Sequence, residues 1–268
     1  MKQLINMFPD ELDAALCGSN PVAVLPIGSV EQHGPHLLLG CDGYIAHATA
    51  AMAAVALGAT LFPMIPFSWI GGLRVFAGTI DLRPAITIEY MEQICLEILA
   101  QGFAQIILVN SHGGGREAVY AVARAVYKKT RKSVISMYPS AVYDSCPAIY
   151  DAWRAHGVEK PDDWAAYEIS ELLGALSYFG REDLADEVLA NNAAALAEFG
   201  EIQAEANPAL QGARPLGEIG HDYTHECMHV APRKTVSKSG GLATMRLMAE
   251  HIARVSKICL SENAGCMG

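Results

Sequence analysis

The sequence is poor in charge and in aromatic rings: of 268 residues, 18% are Asp, Glu, Lys or Arg and 7% are Phe, Trp or Tyr. Basic residues are the scarcer sign, 19 against 29 acidic ones, which leaves a net charge of −10. Such a chain repels phosphate backbones and anionic lipid, which argues against nucleic-acid and membrane-surface partners. None of the seven scattered cysteines forms a Cys-x-x-Cys pair, so reduced thiols in a cytoplasmic setting are expected. The N-terminal residues lack the apolar core and small-residue cleavage site of a secretory leader. The most apolar stretch, residues 44–67, is alanine-rich, carries His47 and is broken by Gly58, Pro63 and Pro66. It reads as a buried helix followed by a strand, not as a membrane span. Repeats and low-complexity tracts are lacking too, and Gly and Pro occur at ordinary frequency, which excludes collagenous and disordered polymers.

What is present is hydrophobic residues, 51% of the chain, in a length that suits one large α/β domain over residues 1–268. The run PVAVLPI at residues 21–27 predicts a buried strand, and so does FAQIILV at residues 103–109. Between them, Pro84 opens a helix with Ile88, Met91, Ile94 and Ile98 at helical spacing, and Gly102 ends it. A further helix carries Val119, Val122 and Val126, and residues 133–138 read as the next strand. Residues 144–164 read as loop, followed by helices at about 182–199 and 242–258. Strands apolar on both faces, alternating with helices, predict a mostly parallel sheet in an α/β/α sandwich.

The polar groups concentrate in GSVEQHGPHLLLGCD, residues 28–42, directly after the first strand. Ligands of open α/β sheets bind at the carboxyl ends of strands. Glu31 and His33 alternate onto one side of extended backbone, and Asp42 returns after the turn at Gly34-Pro35. Two carboxylates and an imidazole suit Zn²⁺ or Mn²⁺; a hydrogen-bonded turn with Asp42 as helix cap is the other reading. A second cluster, Asn110-Ser111-His112-Gly113-Gly114-Gly115, also follows a buried strand and opens a helix, where backbone N–H groups favour an anion. A third, His225-Glu226-Cys227-Met228-His229, satisfies the HExxH pattern of zinc proteases. It lies between Gly220 and Pro232 with no helical apolar stripe, so it reads as loop.

GSVEQHGPHLLLGCD resembles the opening signature GSxEQHGPHLPLxTD of the creatininase (creatinine amidohydrolase) family, and NSHGGG resembles its NxHGGN. Phe76-Ala77-Gly78-Thr79-Ile80 is similar to its FPGTI, Tyr167-Glu168-Ile169-Ser170 to its ETS element, and Thr235-Val236-Ser237-Lys238-Ser239-Gly240 to its late basic turn. The resemblance implies a three-layer α/β/α fold with two divalent ions per chain, Zn²⁺ and/or Mn²⁺. By motif position Glu31 and His112 would hold one ion and His33 the other, with Asp42 bridging. Creatinine-cleaving members carry a glutamate where this chain has Gly114. Glu168 is the candidate to close the site in its place, with Glu117 behind it.

The chemistry implied is attack by a bridging hydroxide, with Gly113 and Gly114 N–H groups helping to hold the oxyanion. The family's leaving-group histidine, five residues before the ETS glutamate, is Asp163 here, so Asp163 or nearby His156 would donate the proton. His36 would support the site by hydrogen bonding, and Trp153 and Trp164 would wall the pocket. The substrate expected is a small polar ring cleaved at a C–N bond, and not creatinine itself. C–C cleavage of a cyclic keto-polyol such as a dehydro-inosose is the alternative, a protease using His225, Glu226 and His229 a more distant one, and a non-catalytic binding protein a third class. The family also implies a closed homo-oligomer, often a hexamer.

Overall fold

A computed structural model describes residues 2–71, 73–74, 76–158, 164–201 and 230–265. Five strands, β1 (Lys2–Gln3), β2 (Val22–Ile27), β3 (Thr60–Leu61), β4 (Gln105–Asn110) and β5 (Ser133–Met137), form one sheet in the order β1-β3-β2-β4-β5, every pair parallel. The helices are α1 (Pro9–Leu16), α2 (Cys41–Leu57), α3 (Pro84–Ala100), α4 (Arg116–Thr130), α5 (Pro147–Ala155), α6 (Trp164–Tyr178), α7 (Glu182–Phe199) and α8 (Lys238–Gly265).

Strand alternation builds the layers. Ala23, Leu25, Ile27, Ile106 and Leu108 face one side, where they meet Met91, Cys95 and Ile98 of α3 and Val119, Val122 and Val126 of α4. Val22, Val24, Ile107 and Val109 face the other, against the alanines of α2 and Ala249 and Ile252 of α8. Beyond that layer α5, α6, α7 and α8 share a further cluster with α2, around Trp153, Tyr167, Leu172 and Met248. The three-layer sandwich expected from the sequence is thus present, with all of its sheet parallel. Among the described residues no helix is long and apolar enough to cross a membrane.

Besides β1 and α1, in a segment to which the sequence reading assigns no element, three more elements differ. Within the segment read as loop, Pro147 starts α5, and Ile149 and Trp153, one turn apart, bury its inner face. α6 is buried nearly all round, from Ala166 and Tyr167 to Leu176, so it shows no amphipathic stripe to read. α8 begins at Lys238, earlier than the apolar spacing of Met245, Met248 and Ile252 indicates, and runs on to Gly265.

Candidate metal centre

β2 and β4 are hydrogen-bonded neighbours, and the last residues of each, Ile27 and Asn110, stand on the same rung. The two polar loops therefore leave the sheet side by side at its carboxyl edge. The first loop lies against the start of α2: a Cβ on Gly28 would come within 2.5 Å of Gly43 Cα, a contact only glycine permits. That approach lets Ser29 Oγ donate to Asp42 Oδ2. Gly40, not Asp42, is the residue at the helix N-cap, and Asp42 sits in the first turn with its carboxylate turned to the loop.

Both imidazoles are oriented through the backbone. His33 Nδ1 donates to the Glu31 carbonyl oxygen at 3.0 Å, which leaves Nε2 as the lone-pair nitrogen. His33 Nε2 lies 3.5 Å from Glu31 Oε1, 3.6 Å from Asp42 Oδ2 and 3.4 Å from Glu168 Oε1 of α6. On the second loop, Asn110 clips His112 in place, accepting from its N–H at 3.2 Å and donating to its carbonyl at 2.8 Å. His112 Nδ1 then lies 3.0 Å from Glu31 Oε1 and 3.1 Å from Asp42 Oδ2. Glu31, His33, Asp42 and His112 are all buried, none more than 4% exposed.

Two imidazoles and three carboxylates in so little space shape each other's ionisation. Burial opposes charge on His112, but Glu31 and Asp42 outweigh it and raise its pKa to about 10. His33 is likewise raised against burial, by Asp42 and Glu168. Asp42 is held well below the carboxylate range, where His33 and His112 overcome the cost of burial, whereas burial prevails at Glu31 and raises it. The cluster demands positive charge at its centre.

The residues fit divalent cations. Buried Glu31 Oε2 has no hydrogen-bond partner, a cost that a ligand would relieve. Donor separations of 3.0–3.6 Å match the edges of a shell with donors at about 2.0–2.2 Å from one ion. Asp42 Oδ2 reaches both imidazoles, at 3.1 Å from His112 Nδ1 and 3.6 Å from His33 Nε2, and so does Glu31 Oε1, at 3.0 and 3.5 Å; Glu168 approaches from the His33 side.

A sequence model described as Creatininase: Creatinine amidohydrolase matches residues 6–173. The chain belongs to the creatininase family. It is 28% identical over 216 residues to the mycofactocin precursor peptide peptidase of Mycobacterium ulcerans (strain Agy99), covering 76% of each chain. The creatinine amidohydrolase of Pseudomonas putida is 28% identical over 107 residues, 38% of this chain and 41% of that one. A 3-dehydro-scyllo-inosose hydrolase of Thermotoga maritima is 30% identical over 95 residues, 34% of this chain and 29% of that one. Among solved structures, one described as creatininase Mn superposes with a TM-score of 0.75 at 20% identity, covering 94% of this chain and 96% of that one. A glutamate-to-glutamine mutant creatininase described as Zn-Zn type gives 0.74 at 19% identity over the same shares. The fold is that of creatininase, and the chain is a hydrolase of the amidohydrolase type.

Beside the donors lies a cavity of about 250 Å³, lined by Gly113, Gly114, Trp164, Tyr167, Glu168 and Glu171 among others. Trp164, 47% exposed, stands edge-on to Tyr167 with ring centroids 6.1 Å apart. Trp153 is not on the wall. It is buried behind Tyr167, stacked at 4.7 Å, and so braces the ring that does face the cavity. His156 is exposed, bonded to Ser239 Oγ at 2.9 Å, and does not line the cavity. Glu117 faces a different depression, with Arg116, Tyr120 and His251. Asp163, His225, Glu226 and His229 lie outside the described residues. His36 is buried without the hydrogen bond expected of it: among the described residues neither ring nitrogen has a partner, and burial lowers its pKa to about 4.

Two residues near the site escaped the sequence reading. Glu171, one turn past Glu168 on α6, is buried on the cavity wall, and burial pushes its pKa up to about 8. No motif flags a single acid in an apolar helix. Cys41 precedes Asp42 in the place where the family signature has Thr; that departure was the available signal.

Proposed function

We propose that this single-domain chain is a two-cation hydrolase that cleaves a C–N amide bond in a small polar substrate other than creatinine, most readily a cyclic amide. The observation that carries this reading is that Asp42 Oδ2 lies within 3.6 Å of both His33 Nε2 and His112 Nδ1, the imidazoles of the two loops. Zn²⁺ or Mn²⁺ would be held by Glu31, His33, Asp42, His112 and Glu168, and when bound would supply Lewis acidity and an activated water. Trp164 and Tyr167 hold the substrate's flat face. Gly113 and Gly114 let its carbonyl approach the loop backbone closely, and their N–H groups stabilise developing negative charge. Glu171, protonated at neutral pH, donates to the departing nitrogen, a role that His156 is too far out on the surface to fill.

The cavity volume supports a small molecule or the end of a short peptide, and the relative named a precursor peptide peptidase keeps the second within the same bond class. The relative named a 3-dehydro-scyllo-inosose hydrolase supports the alternative, hydrolytic C–C cleavage of a cyclic keto-polyol. Cys17, Cys41, Cys95 and Cys146 are free thiols, which supports a reducing, cytoplasmic setting. A closed homo-oligomer, by analogy with the family, is part of the proposal and is checked by sedimentation.

The test is a screen of metal-loaded enzyme against metabolite and short-peptide mixtures by mass spectrometry. Gain of one water by a ring amide, or scission of a peptide amide, supports the reading; exclusive action on keto-polyols replaces it with the alternative. Glu168→Gln should lower metal content or turnover by about tenfold or more, and an unchanged variant would remove Glu168 from the site.

A further inference from the structure

The cation set around His33 has a gap. The resemblance places a glutamate two residues after His112 in creatinine-cleaving relatives, and here Gly114 stands there with no space for a side chain: a Cβ would lie 2.3 Å from the Ile70 carbonyl oxygen and 2.6 Å from His112 Nε2. Glu168 supplies one oxygen from α6, at 3.4 Å from His33 Nε2. His33, Asp42 and Glu168 then make at most three protein donors, which leaves a fourth position for water or for a further side chain.

A sulfur stands close by. Cys41 Sγ, a ring nitrogen of His33 and a carboxylate oxygen of Glu168 all lie within 4.8 Å of one another. Because His33 Nδ1 is committed to the Glu31 carbonyl, the nitrogen available to share an ion with sulfur is Nε2. Cys41 is wholly buried as the first residue of α2; burial and the carboxylates of Glu168, Asp42, Glu171 and Glu31 push its thiol pKa well above the ordinary range, so a thiolate forms there only in exchange for a bound cation. We infer that Cys41 is a metal ligand in this chain, joining His33 and Glu168 in the place of the missing glutamate. The inference rests on the two-cation reading above.

The chemistry follows from the donor. Binding breaks the S–H bond, forms a sulfur–metal bond and releases the thiol proton to solvent, so one additional proton leaves per ion bound at this set. Thiolate is a soft ligand and selects Zn²⁺ over Mn²⁺, whereas the Glu31–Asp42–His112 set offers only oxygen and nitrogen. The two positions therefore differ in metal preference. The rival role for Cys41 is that of a small apolar side chain packed among Ile45, Tyr167 and their neighbours, and it predicts none of this.

Cobalt distinguishes the two. Metal-free protein is titrated with Co²⁺ while absorbance, metal content and proton release are followed, in the wild type and in Cys41→Ser, Cys41→Ala and Cys95→Ser. The expected result is a thiolate-to-cobalt charge-transfer band in wild type and Cys95→Ser that both Cys41 variants lack. The Cys41 variants should keep the ion of the Glu31–His112 set, lose about tenfold or more in affinity for the other, and release one proton fewer. Circular dichroism of the two Cys41 variants separates ligand loss from unfolding. Two ions bound in wild type without the band, or a band that survives in folded Cys41→Ser, overturns the assignment of Cys41 alone. Failure of wild type to bind cobalt at all overturns the two-cation reading with it.

Discussion

The carbonyl oxygen of Ile70 occupies the space in which a side chain on Gly114 would have to begin, only 2.3 Å from the Cβ position. Restoring the relatives' glutamate by Gly114→Glu should therefore damage the site instead of completing it. The expected outcome is a loss of about 1–3 kcal/mol of stability, typical of overpacking, together with reduced metal content. Thermal melts paired with elemental analysis decide it; an equally stable variant with tighter metal binding would show that the loop can yield.

Asp42 Oδ2 lies 3.1 Å from His112 Nδ1 and 3.6 Å from His33 Nε2, so in the two-cation reading its removal should strip both ions at once. Asp42→Ala should retain neither ion, and His33→Ala should retain the one held by Glu31 and His112. Metal-to-protein ratios after desalting provide the readout. Full metal in both variants would place the centre elsewhere.

Glu171 gives the fold a dependence on pH. Its folded pKa of about 8 stands above the ordinary value of 4.5 because burial penalises its charged form. Below about pH 4.5 the carboxyl is protonated in both folded and unfolded chains and has no effect. As pH rises from there towards 8 the unfolded chain ionises and the folded one does not, so stability falls, by at most about 1.4 kcal/mol per unit. Glu171→Gln should flatten this slope between pH 5 and 8 relative to wild type. Parallel denaturant titrations across that range measure it, and identical slopes would refute the assignment.

Creatinine should be a poor substrate. By the motif resemblance, Gly114 stands where creatinine-cleaving relatives would have a glutamate and Asp163 where they would have the leaving-group histidine, and the segment before the FPGTI-like element has no histidine. General acid–base contributions alone are worth about 10²- to 10⁴-fold. Steady-state hydrolysis by metal-loaded enzyme should give kcat/KM well below about 10⁴ M⁻¹s⁻¹; efficient turnover would restore a plain creatininase assignment.

How far the structure can be read from sequence depends on whether a residue's neighbours are local. The run at residues 21–27 and the spacing of Met91, Cys95 and Ile98 reveal β2 and α3 because burial there follows period two or 3.6. α6 carries no such period, since Ile169, Leu172, Leu173 and Leu176 are buried along with Ser170 and Glu171 between them. The same contrast holds in the site. Glu31, His33, Asp42 and His112 each sit in a polar patch that stands out from apolar strands, and the structure brings them together. Trp153 and His156 are close in sequence to the cavity-lining Trp164, yet α5 turns one into the interior and the other to solvent. Glu171 acquires its importance only from what α6 packs against, and that is invisible along the chain.

Ile27 and Asn110 are partners across the sheet, but two helices and a strand separate them along the chain. The consequence concerns the order of events in folding. Glu31, His33 and Asp42 belong to one contiguous segment, whereas His112 joins them only when β2 and β4 pair, which requires closing a long loop through a parallel connection. Such non-local pairing is slow. Cation capture by the complete donor set must follow it and cannot nucleate it, so during refolding the appearance of a bound ion reports when the centre of the sheet has closed.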